Sequence, residues 1–150
     1  MSSRGAFCAT RDPVIIGISL RHKNWRIEMT INRNGQPMKI NHINKNEIQI
    51  LELSGEIDFH TSPELREKLQ KIIEKQTKKI LVNLKKVSYI DSSGLATFVE
   101  ALQKMHKSKG KLVLAELASA VRGVFEIAKL DTVFSLAESQ DQGLKILNQG

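Results

Sequence analysis

Up to Gln36 the chain shows neither strand alternation nor a helical period, and from Met38 onward its character changes. Lys39–Ile43 and Glu47–Leu53 are short β-prone runs separated by the turn-rich Asn44-Lys45-Asn46, a pattern that predicts a hairpin. Ser54-Gly55-Glu56-Ile57-Asp58 then breaks the strand pattern. Thr61 or Ser62 is placed to cap a helix, Pro63 suits its first turn, and Glu64 adds a favourable charge there. Leu65, Leu69, Ile72 and Ile73 follow at i, i+4, i+7 and i+8 and make one apolar face. Lys68, Lys71, Lys75, Lys78 and Lys79 fall mostly on the solvent side of that helix and its end. Lys79–Leu84 is a continuous apolar run, the signature of a strand covered on both faces.

A second helix is marked by Leu95, Phe98, Val99, Leu102 and Met105 and ends near Gly110. Lys111–Glu116 predicts another strand through Leu112-Val113-Leu114. Ser119 is the cap expected for a third helix with Val121, Val124, Phe125 and Ala128 inward. Val133–Leu136 predicts a last short strand, and Ser139 opens a terminal helix carrying Leu144 and Leu147. Strands and helices alternate, so the class is α/β, with crossover helices joining the later strands.

With 150 residues the chain has the length of one domain. No apolar run approaches the roughly 18 residues that a spanning helix needs, so no membrane insertion is expected. Cys8 is the single cysteine, which leaves no internal disulfide and no Cys-rich zinc site. The net charge of +7 raises a nucleic-acid or acidic-membrane partner, and its distribution argues against both. Residues 1–37 hold six basic and two acidic side chains, a net of +4, whereas residues 38–150 hold 17 and 14, a net of +3. The first 37 residues therefore read as an extension outside the working domain 38–150: a flexible tail, or an over-long reading frame whose true start is Met29 or Met38. The remaining excess is largely lysines on one amphipathic helix without interleaved aromatics, so no direct nucleic-acid contact is expected.

The common enzyme constellations are missing. The sequence holds no phosphate loop with Gly-Lys-Ser/Thr and no Gly-x-Gly-x-x-Gly after a strand. His22, His42, His60 and His106 are scattered without a second ligand at metal spacing, so no metal and no cofactor are expected. The informative segment is Val87-Ser88-Tyr89-Ile90-Asp91-Ser92-Ser93-Gly94-Leu95, where a strand hands over to the second helix. A hydrolase elbow would need Gly two residues before its serine, and Ile90 stands there. Asp91, Ser92 or Ser93 can cap the helix. Capping explains one polar residue; the run Ser92-Ser93-Gly94 with Ala96 and Thr97 also makes a flat surface that another backbone can approach. A phosphate is tolerated on a serine at a helix N terminus. No Lys or Arg lies between Lys86 and Lys104 to clasp it, so it would repel a docked partner.

At these residues the sequence resembles the STAS-domain anti-sigma factor antagonists of bacteria. The resemblance rests on Tyr89–Leu95, on Leu53-Ser54-Gly55-Glu56-Ile57-Asp58, on the strand 111–114 and on the Ala-Val-Arg-Gly-Val-Phe-Glu-Ile segment 120–127, from about Met38 to Asn148. It implies a STAS-like single domain, a small mixed sheet of roughly four to five strands flanked by about four helices. It implies no enzyme activity but a cytoplasmic binding protein that takes up an anti-sigma factor serine kinase and so frees a sigma factor. Ser92, directly after the aspartate, would be the residue phosphorylated to end that binding, and a serine phosphatase would restore it. Asp91, Ser93 and Gly94 would shape the loop, and Asp58 would share the partner-facing surface. The alternative within the same fold is a non-switching subunit of a stress-signalling scaffold or lipid-transport ABC complex.

Overall fold

Residues 35–149 are described by the computed structural model. Their elements follow the order β1 (Lys39–Lys45), β2 (Ile48–Ile57), α1 (Ser62–Glu74), β3 (Lys79–Ile90), α2 (Ser92–Lys107), β4 (Lys111–Ala115), α3 (Ser119–Ile127), β5 (Ser135–Ala137) and α4 (Gln140–Asn148). The expected tail falls mostly on residues 1–34, outside the described residues.

The five strands form one sheet in the order β1-β2-β3-β4-β5. β1 runs antiparallel to β2 because only Asn46 and Glu47 separate them, and Asn46 takes the left-handed conformation (φ 58°) that asparagine tolerates. Each later connection contains a helix, so β2 to β5 are parallel. This is the α/β class that the alternation implied, in the form of the mixed sheet with flanking helices that the resemblance implied.

Strand alternation then divides the core. Leu51, Leu53, Ile80, Val82, Leu84, Leu112 and Leu114 face α1, α2 and α3, where they meet Leu65, Leu69, Phe98, Met105, Val121 and Phe125. The other parity, Ile48, Ile50, Leu81, Val113 and Ala115, faces α4 through Leu147. β3 and β4 are thus covered on both sides, as their continuous apolar runs required. The nine-residue α4 packs on β3, β4 and β5, and among the described residues no helix covers the same face over β1 and the second half of β2.

Two boundaries differ from the local pattern. β2 does not end at Ser54 but continues to Ile57, and β3 continues past Leu84 to Ile90, because the two pair with each other along that stretch. Gly55 allows the continuation: its φ of +106° is a conformation that side chains disfavour, and a Cβ there would lie 3.2 Å from the Pro37 carbonyl oxygen. β3 carries one more residue than β2 between the pairs Glu52–Asn83 and Ser54–Lys86, a bulge in which Leu84 and Lys85 oppose Leu53.

Candidate functional site

β2 and β3 finish together. Ile57 is the register partner of Ile90, and the Asp91 amide donates to the Ile57 carbonyl at 3.1 Å. The turn 58–61 and the start of α2 therefore sit side by side at the carboxyl ends of two parallel strands.

Asp91 is the N-cap of α2, in extended backbone conformation. Its Oδ1 accepts from the Ser93 amide at 2.9 Å, the Gly94 amide at 3.1 Å and the Ser93 hydroxyl at 2.6 Å. One carboxylate oxygen thus satisfies two of the free amides that every helix N terminus presents. Gly94 is buried where α2 presses on the strand ends; a Cβ there would stand 2.7 Å from both Ile57 Cγ2 and Ile90 Cγ1. Thr97 is buried too, and its hydroxyl donates to the Ser93 carbonyl at 2.9 Å. With its neighbours turned inward, Ser92 is the exposed residue of this turn, followed one turn later by exposed Ala96. The four residues singled out from sequence at the head of α2, Asp91 to Gly94, come together here, each with a different job.

Asp58 behaves differently from the expectation. The resemblance put it on a partner-facing surface, yet only 2% of it is exposed. Its Oδ1 accepts from the His60 amide at 2.9 Å and the Thr61 amide at 3.2 Å. Thr61 does not cap α1 through its side chain; its hydroxyl donates to the Glu56 carbonyl at 3.0 Å and accepts from the Asp58 amide at 2.9 Å. These bonds satisfy backbone groups that the turn would otherwise bury unpaired, and they make it rigid. Asp58 is therefore a brace, buried because the amides it serves lie inside the turn.

What the turn presents to solvent is Phe59, 64% exposed, its ring tilted by 36° against that of exposed His60 at a centroid separation of 3.9 Å. Sequence reasoning passed over Phe59. The available signal was an aromatic inside a turn directly after the Ser-Gly-Glu-Ile-Asp stretch, and its exposure follows from the inward rotation of Asp58. The nearest ion pairs on α2 lie further along it, where Glu100 meets Arg66 of α1 at 3.0 Å and Lys104 at 2.9 Å. The hydrogen bond from Lys104 lowers the Glu100 carboxyl from its ordinary value, opposed by desolvation and helped by the Lys104 and Arg66 charges. No helix among the described residues is long and apolar enough to cross a membrane.

A mixed sheet with three helices on one face, a returning helix on the other and a capped Asp-Ser-Ser-Gly turn define a small α/β domain. The profile of the STAS domain family matches residues 39–143, and the chain belongs to that family. It is 35% identical over 102 residues to the anti-sigma-B factor antagonist of Bacillus subtilis (strain 168), which covers 68% of this chain and 92% of that protein. Among solved structures, an anti-sigma factor antagonist from Mycobacterium paratuberculosis aligns with a TM-score of 0.70 at 21% identity, over 75% of this chain and 95% of that one. The anti-sigma factor antagonist SpoIIAA in its unphosphorylated form aligns at 0.59 and 19%, over 75% and 98%. At those identities the structures speak for the fold.

Proposed function

We propose that this chain is a cytoplasmic anti-sigma factor antagonist, a non-enzymatic binding protein whose unphosphorylated form takes up an anti-sigma factor that is also a serine kinase. Phosphorylation of Ser92 ends the binding, and a phosphatase reverses it. The similarity to the Bacillus subtilis antagonist supports the class of partner. The observation that carries the switch is the division of labour at α2: Asp91 already holds the amides of Ser93 and Gly94, and Ser92 is left exposed beside it.

A phosphate on Ser92 would find the Ser93 and Gly94 amides engaged and an aspartate adjacent. Its charge of about −1.5 to −2 would project outward into any docked surface, where it is repelled or must be desolvated. An interface moved from almost fully bound to almost fully free requires about 5.5 kcal/mol. The partner surface we assign comprises Ser92, Ala96 and the Phe59-His60 pair, with Asp91, Ser93, Gly94 and Asp58 holding it in shape.

Full-length protein incubated with the cognate anti-sigma kinase and ATP is expected to gain one phosphate by intact mass, and Ser92→Ala none. Ser92→Ala should still bind the kinase. Phosphate gained equally by Ser92→Ala would overturn the assignment of Ser92, and a kinase that binds neither form would overturn the class of partner.

A further inference from the structure

On the sheet face opposite α1 and α2, beyond the end of α4, lies a polar groove of about 400 Å³ that the Ser92 surface does not use. Its floor is built by strand register. Lys39, Ser54 and Lys86 are paired across β1, β2 and β3, and the next row is Asn41, Glu52 and Asn83. Regular alternation would send Lys85 and Lys86 to opposite faces. The extra residue in β3 breaks that alternation, and both lysines are exposed, both lining the groove. Three lysines thus line the groove together with Ser54.

The carboxylates in the lining do not cancel this charge equally. Glu116 is committed to the fold: its Oε2 accepts from Asn83 Nδ2 at 3.0 Å and from the Gln140 amide, at the N terminus of α4, at 3.1 Å. It holds that place from a left-handed backbone conformation, φ 56°. Asn83, 8% exposed, is fixed further by Gln140 Oε1 at 2.9 Å and by the Lys85 amide. Lys85 lies 4.0 Å from Glu116, and Lys39 and Lys86 have no ion pair among the described residues. Glu52 accepts from Asn41 Nδ2 at 3.0 Å through one oxygen, which leaves the other for a ligand hydroxyl. The groove therefore offers a cluster of point-charge donors suited to phosphate, and neutral and acidic acceptors beside it suited to hydroxyl groups.

We propose that this groove binds a small phosphate ester bearing free hydroxyl groups, with the phosphate among Lys39, Lys85 and Lys86 and the hydroxyls on Glu52 and Ser54. The site is independent of the partner switch: Lys86 and Asp91 are separated by about 16 Å of strand. The test is a titration of the full-length ¹⁵N-labelled protein with inorganic phosphate, glycerol 3-phosphate and glycerol, read from backbone amide shifts. Glycerol 3-phosphate is expected to give saturable shifts at Ser54, Lys85 and Lys86 at about one-tenth the concentration that inorganic phosphate needs, the gain of one to two added hydrogen bonds. Glycerol alone is expected to give none. The exposed-lysine variant Lys85→Gln/Lys86→Gln should keep the parent spectrum elsewhere and lose saturation, while Lys68→Gln/Lys71→Gln on α1 should not. Shifts that rise linearly without saturating, or that survive Lys85→Gln/Lys86→Gln, overturn the site. Equal affinity for phosphate and its glycerol ester overturns the hydroxyl recognition.

Discussion

Ser92 and Asp91 stand next to each other at the head of α2 and are separated in role by one rotation of the backbone. Asp91 Oδ1 is spent on the Ser93 and Gly94 amides, so Asp91→Ala should lower unfolding stability by about 1 kcal/mol, measurable by urea denaturation. Ser92→Asp, which makes no such bonds, should leave stability within about 0.5 kcal/mol while sharply weakening kinase binding relative to Ser92→Ala. Equal binding of the two would count against the electrostatic switch. Phe59 is the aromatic that the rigid turn exposes. Phe59→Ala should weaken partner binding by about 2 kcal/mol, in the range of an aromatic interface anchor, with the folded protein unchanged. Calorimetric titration of the kinase against both proteins separates these outcomes. Gly94→Ala tests a different residue-scale constraint. The added methyl meets Ile57 and Ile90 at 2.7 Å, so about 1–3 kcal/mol of stability should be lost through overpacking.

At the scale of elements, α1 and α2 are held side by side by buried Leu65, Leu69, Phe98 and Leu102, with the Arg66–Glu100–Lys104 cluster on the solvent side. The apolar faces of both helices were readable from spacing, because helical period alone decides which side chains share a face. The cluster contributes little, since exposed ion pairs are worth about 0.5 kcal/mol or less. Its sign with pH is definite. The Glu100 carboxyl sits below its ordinary value of 4.5 when folded, so its contribution is present above that value and lost as pH falls through the lower, folded one. Glu100→Gln should therefore shift the urea midpoint slightly at pH 7, and by progressively less as the pH falls below 4.5. Strand ends were less readable: Ser54-Gly55-Glu56 looks like a break when taken alone, yet it is strand because β3 lies beside it. Pairing between distant segments overrides local propensity.

At the scale of the whole molecule, we propose that residues 38–150 are the folding and binding unit. A chain beginning at Gly35 should keep the kinase affinity of the full chain and an unfolding free energy within about 0.5 kcal/mol of it; a larger loss of either would move the boundary toward the N terminus. The two proposed surfaces lie on different parts of this unit: the strand ends present Ser92 and Phe59, and the surface beyond α4 presents Lys39, Lys85 and Lys86.

By itself the sequence determined the α/β alternation, the apolar faces of the helices, a cap among Asp91, Ser92 and Ser93, the cap at Ser139, and the family motif that contains Ser92. These depend on period, capping chemistry and short-range spacing, which are local properties of the chain. Tertiary structure alone decided that Asp58 turns inward while Phe59 turns out, and that Lys39, Lys85 and Lys86 line one groove across three strands. Burial and cross-strand register are set by segments far apart in sequence. No local pattern carries the bulge that brings two consecutive lysines to one groove.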